Sequence, residues 1–408
     1  MGDYAAVAAG SSSNKAVDAE DAADFRLLSV SWNQDSSCFT AATTADFRAF
    51  NCSPFHERLR CRVHHPNNPN PNPNGGGGYA IVETLFHTNI FALVTAGESG
   101  LHGVELWDGK KKKQVCNIAG GGIRSAVRAV RMSRAHLAVV LDRAVRVYEL
   151  SDPPRPLWKI PTALNPRGLC CISWRHGAAS STSSVLACPG TEKGQVRVQE
   201  LVSGERMPAA AARLVAAHSS EVACMAMTAD GSVLATASVK GTLVRVFSTV
   251  DGTCLQEVRR GRDQAEIYSI AMSPDVKWLA VCSDKGTLHV FSLRVRDGKK
   301  DGGGKKSAAA SSAKQTNTAA NARSSLSFMK AILPDYFSSE WSFAQFRLPE
   351  TTRHVAAFGE ENTVMIIGMD GSFYRCSFDP VNGKEMVRKE YFRFLKEKGS
   401  PSIRTLTK

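Results

Sequence analysis

The chain has 408 residues, 43% of them hydrophobic, enough for two or three domains or for one large repeat architecture with a sizeable core. Its formal net charge of +13 points to an anionic partner (nucleic acid, an acidic protein or a membrane surface), and charge does not choose among these. Nothing approaches eighteen uninterrupted apolar residues, which excludes a spanning helix.

Residues 1–24 lack a basic stretch followed by an apolar core, so they do not read as a secretory signal and are expected to be a disordered N-terminal segment. "LLSVSWNQDSSCFTAATTADFRAFN", Leu27 to Asn51, reads as alternating strands with turns between them. Residues 66–78, "PNNPNPNPNGGGG", are a loop. Similar strand sets start near Ala80, Val127 and Gly168. The Gly-rich "AGGGIRS", Ala119 to Ser125, lacks the Lys-Ser/Thr of a phosphate loop and reads as a turn.

Two later stretches set the template. "CMAMTADGSVLATASVKGTLVRVFSTVDG" from Cys224 and "SIAMSPDVKWLAVCSDKGTLHVFSLRVRDG" from Ser269 align almost without adjustment. Asp230 to Asp275 and Gly241 to Gly286 are each offset by 45 residues. That period, with three strands in view and room for a fourth, predicts a β-propeller blade. The fold class is therefore all-β: a seven-bladed, WD40-like propeller over 25–395. Its seventh blade is read as starting at Phe343, a tail follows at 396–408, and no terminal strand is plainly missing from another blade. The segment 294–340 is expected as a long loop inserted in blade six.

Catalytic signatures are absent: no G-x-S-x-G, H-E-x-x-H or P-loop. The eleven cysteines include adjacent Cys170 and Cys171 but no C-x-x-C. They read as small core residues in a reducing compartment, with no disulfide framework and no metal site. No cofactor is expected. Attention falls instead on "EVRRGRDQAEIY", Glu257 to Tyr268, between the two strong repeats. In an extended segment Arg259 and Arg260 diverge, one toward each neighbouring blade, and Gly261 permits a tight path. Blade five supplies His218, Ser238, Thr242 and Arg245; blade six supplies Ser283, Thr287 and His289, with the hydroxyls at the same spacing. Blade five has one residue more after the shared Gly-Thr, which predicts a bulge that re-aims Arg245. Arg, His and hydroxyl groups around a small cavity suit a phosphate monoester. The same residues also suit hydrogen bonds within blades and ion pairs to Asp263 or Glu266, and spacing leaves both readings open.

The insert carries nine Lys or Arg against four Asp or Glu. Its first half is low-complexity. Its second half has an apolar set (Leu326, Phe328, Met329, Ile332, Leu333, Tyr336 and Phe337) with helical spacing, as in a segment lying at a membrane interface. Pro334 interrupts that stripe, and packing against the propeller is the other reading.

At "RRG" the sequence resembles the PROPPIN family, the β-propellers that bind polyphosphoinositides in autophagy. The resemblance covers about residues 25–395, is strongest from Ala217 to Phe291, and includes "SLSFMKAILPDYFSSEW". The family motif has Phe or Leu before Arg-Arg-Gly; here Val258 stands there. The resemblance implies binding of phosphatidylinositol 3-phosphate and phosphatidylinositol 3,5-bisphosphate in two pockets. The first is His218, Ser238, Thr242, Arg245 and Arg259; the second is Arg260, Ser283, Thr287 and His289. It also implies that the insert enters the membrane. Asn33 and Asp35, in the "NQD" turn with Gln34, match a contact made in some relatives with an autophagy lipid-transfer protein, although a tight turn explains them too. The implied protein is a non-enzymatic monomer in the cytosol and on preautophagosomal, endosomal or vacuolar membranes. The competing expectation is a WD-repeat scaffold that binds acidic proteins or nucleic acid without lipid specificity.

Overall fold

The computed structural model describes residues 26–62, 78–96, 103–118, 125–174, 183–202, 212–294, 320–323, 340–349 and 352–395. Seven antiparallel sheets, each with four sequential strands at its heart, form a seven-bladed propeller. The first strands of adjacent blades contact one another, so they line the centre, and each fourth strand lies at the rim. Strand formation follows from period-two alternation of β-branched and aromatic residues with polar ones. In blade five, Val244, Val246 and Val258 pack with Leu279, Val281 and Phe291 of blade six. The alternate residues of those blade-five strands turn toward blade four.

Blade five comprises Val222–Met227, Val233–Ser238, Leu243–Ser248 and Cys254–Arg259. Blade six comprises Ile267–Met272, Trp278–Ser283, Thr287–Ser292 and, beyond the insert, Ala344–Arg347. Sequence had assigned that last strand to blade seven, which in fact runs from His354 to Arg393. The insert had separated the strand from its own repeat. Gly78, expected in a loop, already opens the first strand of blade two. The lysine-glycine turn is obligatory in blade five: Gly241 has φ +62°, and a Cβ there would lie 1.8 Å from the Ala265 carbonyl oxygen.

Among the described residues, ring closure uses no exchanged strand. Blade one is complete within Leu27–Arg62 and blade seven within His354–Arg393. Their faces meet through an aromatic cluster. Phe55 stacks on Phe392 with centroids 4.4 Å apart, and Phe39 lies 6.1 Å from Phe373 and 5.1 Å from Phe394. The Trp32 indole N–H donates to the Val355 carbonyl at 3.2 Å, and Arg375 Nη2 to the Cys52 carbonyl at 2.7 Å. Near the centre, Ser31, Glu83 and Arg131 link blades one, two and three, and burial pushes the Glu83 carboxyl up.

Phe373 is fully buried in this seam. Phe373→Ala is expected to destabilise the fold by about 3–5 kcal/mol, the range for deleting a core aromatic, as read by urea unfolding at pH 7. A loss under about 1 kcal/mol, within the range of surface substitutions, would mean that the seam does not hold the ring.

Candidate phosphate-binding site on blades five and six

The pair Arg259 and Arg260 diverges as alternation requires. Arg259 is the last ladder residue of the fourth strand, opposite Leu243, and shares the blade-four side with Arg245 and Glu257. Arg260 lies just beyond the ladder. Its backbone N–H donates to the Thr242 carbonyl at 2.9 Å, its Nε to the Gly241 carbonyl at 3.0 Å, and its Nη2 to the Asp263 carbonyl. Arg260 is 6% exposed; burial works against its charge, while Asp284 and Asp263 favour it.

On the blade-four side, Arg245 is held from two directions. Its Nε pairs with Glu257 Oε2 at 2.8 Å and its Nη1 donates to the Ala217 carbonyl at 2.8 Å. His218 Nε2 lies 2.9 Å from Thr236 Oγ1. Burial, with the Arg245 charge adding to it, brings the His218 pKa down to about 4, so its ring is neutral at pH 7. Ser238 is buried at the end of the second strand. The structure thus brings His218, Arg245 and Thr236 together, with Ser238 two residues along the same face.

On the blade-six side, burial and then the Arg260 charge bring the His289 pKa to about 4. Its Nδ1 is buried and pairs with no described group. His289 and Thr287 share one face, and Ser283 is 2% exposed. Thr287 Oγ1 reaches the Lys285 carbonyl at 3.5 Å.

Two expectations need correction. The register shift in blade five lies between Val246 and Phe247, one residue past Arg245, and the extra residue is absorbed in the Gly-Thr turn. Thr287 accordingly begins the third strand of blade six in the position of Leu243, while Thr242 precedes its strand. The proposed contact residue Asn33 is 3% exposed, because its amide is spent within the turn on Ser37 Oγ (3.0 Å) and the Cys38 N–H (3.1 Å). Gln34 of that turn ties blade one to the Thr84 and Met132 carbonyls. Asp35 remains exposed.

Sequence reading missed Thr236 and Glu257. Thr236, Arg245 and Glu257 form one row across three strands, and the two-residue step back from Ser238 was the available signal. The residues Leu326, Phe328, Met329, Ile332, Leu333, Tyr336 and Phe337 lie outside the described residues, as do 1–24 and 396–408. Among the described residues no cluster suits a metal ion, and no helix is long and apolar enough to cross a membrane.

The family model described as PROPPIN matches residues 26–390. The chain belongs to the PROPPIN family. It is similar to Autophagy-related protein 18e of Arabidopsis thaliana, 39% identical over 391 residues, spanning 94% of this chain and 92% of the relative. It is 27% identical to Autophagy-related protein 18 of Dictyostelium discoideum over 384 residues, 91% of this chain and 94% of the relative. The solved structure of Kluyveromyces lactis Hsv2 with complete loop 6CD shares the fold with a TM-score of 0.68 at 22% identity, covering 91% of this chain and all of that one. As a PROPPIN the chain is a non-catalytic, phosphoinositide-binding effector of autophagy, cytosolic and peripheral to membranes.

In this PROPPIN His218 and His289, with His354 also held below its ordinary pKa by burial, make stability depend on pH. Between about pH 6.5 and 4 the unfolded chain binds protons that folded His218 and His289 refuse. Stability is therefore fully present above pH 6.5 and falls as pH drops toward 4, by up to ~1.4 kcal/mol per pH unit for each histidine. Urea unfolding at pH 7 and pH 5 should show this fall, and the double variant His218→Gln, His289→Gln should show a smaller one. An equal fall in both proteins would place the acid sensitivity elsewhere.

Proposed function

We propose that the two sets flanking the arginine pair are headgroup pockets for phosphatidylinositol 3-phosphate and phosphatidylinositol 3,5-bisphosphate. The first comprises His218, Ser238, Thr242, Arg245 and Arg259; the second comprises Arg260, Ser283, Thr287 and His289. One observation carries the proposal: adjacent arginines diverge from blade five, Arg259 onto the face of Arg245 and neutral His218, Arg260 toward neutral His289. Guanidinium supplies paired donors and permanent charge, and a neutral imidazole supplies one donor without competing for solvent protons. Two weak pockets engaging one membrane gain through effective concentration.

In this reading the apolar half of the insert, near Leu326 to Phe337, enters the bilayer beside the pockets. The protein then acts on preautophagosomal, endosomal or vacuolar membranes, and an autophagy lipid-transfer protein meets its remaining surface. In the blade-one turn Asp35 is the exposed contact for such a partner, Asn33 being buried.

Liposome co-sedimentation tests the pockets. The wild-type chain should pellet with vesicles carrying 3-phosphorylated inositides, and the variant Arg259→Thr, Arg260→Thr should stay in the supernatant. Arg259→Thr alone, which leaves the buried Arg260 contacts intact, should weaken retention without changing the unfolding midpoint. Equal retention of all three would sink the proposal, as would binding that depends on salt but not on lipid identity, the behaviour of a nucleic-acid-type basic patch. Deleting residues 326–337 should weaken vesicle binding while leaving titration by a soluble headgroup unchanged. Unchanged vesicle retention would refute insertion.

A further inference from the structure

The outer strand of blade six is reached only across the insert, so spacing from the arginine pair cannot find its residues. Register can. In blade five, Leu243 lies opposite Arg259 and Arg245 opposite Glu257. In blade six, Thr287 lies opposite Arg347 and His289 opposite Gln345. Directly opposed residues carry their side chains on one face, with Cβ atoms about 4.5–5.5 Å apart. Arg347 therefore holds in the second set the place that Arg259 holds in the first. The alternate residues Leu288, Val290, Ala344 and Phe346 pack in the core shared with blade seven. This fixes Arg347 and Gln345 on the blade-five side, with Thr287 and His289.

The surroundings of the two arginine positions differ in charge. Glu257 engages Arg245 in the first set, whereas its counterpart in the second is the neutral Gln345. At the rim of blade five the added strand places Glu340 beside Val258, on the face turned from Arg259. At the rim of blade six the added strand places Lys384 beside Ala344, followed by Glu385 beside Gln345. Among the described residues no carboxylate lies within ion-pair distance of Arg347, which is exposed. Arg347, Gln345, Lys384, Glu385, Ser342 and Asn382 line a cleft of about 570 Å³. Two cations line the cleft against one carboxylate, with Glu385 beside Gln345 and Lys384 beside Ala344.

We propose that Arg347 completes the second pocket and takes a second phosphate of the same inositol ring. The blade-six pocket then selects a bisphosphorylated headgroup, while the blade-five pocket, edged by Glu257, takes a monophosphorylated one. This rests on the reading of both sets as headgroup pockets.

The test uses the full chain with Arg259→Thr, which isolates the second pocket, and calorimetric titration with inositol 1,3-bisphosphate and inositol 1,3,5-trisphosphate as soluble headgroups. Adding Arg347→Ala should weaken the trisphosphate about tenfold or more, the scale of a charge-assisted hydrogen bond lost, and the bisphosphate less than about twofold. Arg347→Lys should recover part of the loss. In an Arg260→Thr background, Arg347→Ala should change neither titration. Equal losses for both headgroups, or a loss in the Arg260→Thr background, would overturn the proposal. Vesicles carrying the bisphosphorylated lipid should show the same selective loss. Loss confined to the soluble headgroup would mean a site for free inositol polyphosphate and would overturn the lipid assignment. If the wild-type chain binds neither headgroup nor vesicle, the reading of both pockets fails with it, and that outcome is visible before any Arg347 variant is made.

Discussion

Period-two alternation along the outer strand of blade five decides where every charge of the site goes. Val258 has no exposed surface and belongs to the core shared with blade six. Arg259, the next residue, must then face blade four, because a one-residue slip would bury a guanidinium in place of a valine. Arg260 falls one position past the final ladder pair, and its side chain folds back on the Gly241 carbonyl. Divergence of the two cations thus follows from burying one valine. The Val258 position tolerates Phe or Leu on the same argument, since only apolarity and face are specified.

Concentrating cations here carries a desolvation cost, and the structure offsets it in three ways. Arg260 is satisfied by backbone carbonyls, which bring no titratable competitor. Arg245 is satisfied by Glu257 and the Ala217 carbonyl. The histidines are kept neutral, so neither set carries a further positive charge. On the blade-four side Glu257 pairs with Arg245. No carboxylate plays that part opposite His289, where Gln345 stands.

Much of this was legible in the sequence because the two decisive blades are consecutive and nearly identical. A 45-residue offset fixes Ser238 against Ser283 and Gly241 against Gly286, and alternation then predicts the divergence of Arg259 and Arg260. Legibility ended where contacts are long-range. The partnership of Ala344–Arg347 with Thr287–Val290 spans the insert, so the strand read as part of blade seven. Thr236 carries no motif of its own; only its position opposite Arg245 singles it out. Ring closure was illegible for a related reason: Phe39, Phe55, Phe373 and Phe392 each look like ordinary strand aromatics until the ends of the chain meet. "NQD" allowed a partner contact or a tight turn in sequence, and the turn holds for two of its residues, since Asn33 and Gln34 are spent on the fold itself.

Closure by face packing also explains why blade six can carry so long an insertion. No strand from either terminus has to be threaded into another blade, so a rim connection can lengthen without loosening the seam between blades one and seven. The connection between third and fourth strands is five residues in blade five, 249–253, and 51 in blade six, 293–343. By the logarithmic scaling of loop closure, that tenfold difference costs only ~2 kcal/mol. Four ladder pairs from Thr287 to Val290, with Ala344 and Leu348 buried, hold the returning strand against that cost. The base of the insert is gathered at the same rim: Asn321 donates to Glu340 and to the Ser292 carbonyl of blade six, and Gln256 of blade five donates to Glu340. The strand that returns from the insert is therefore the one that carries Arg347 past Thr287.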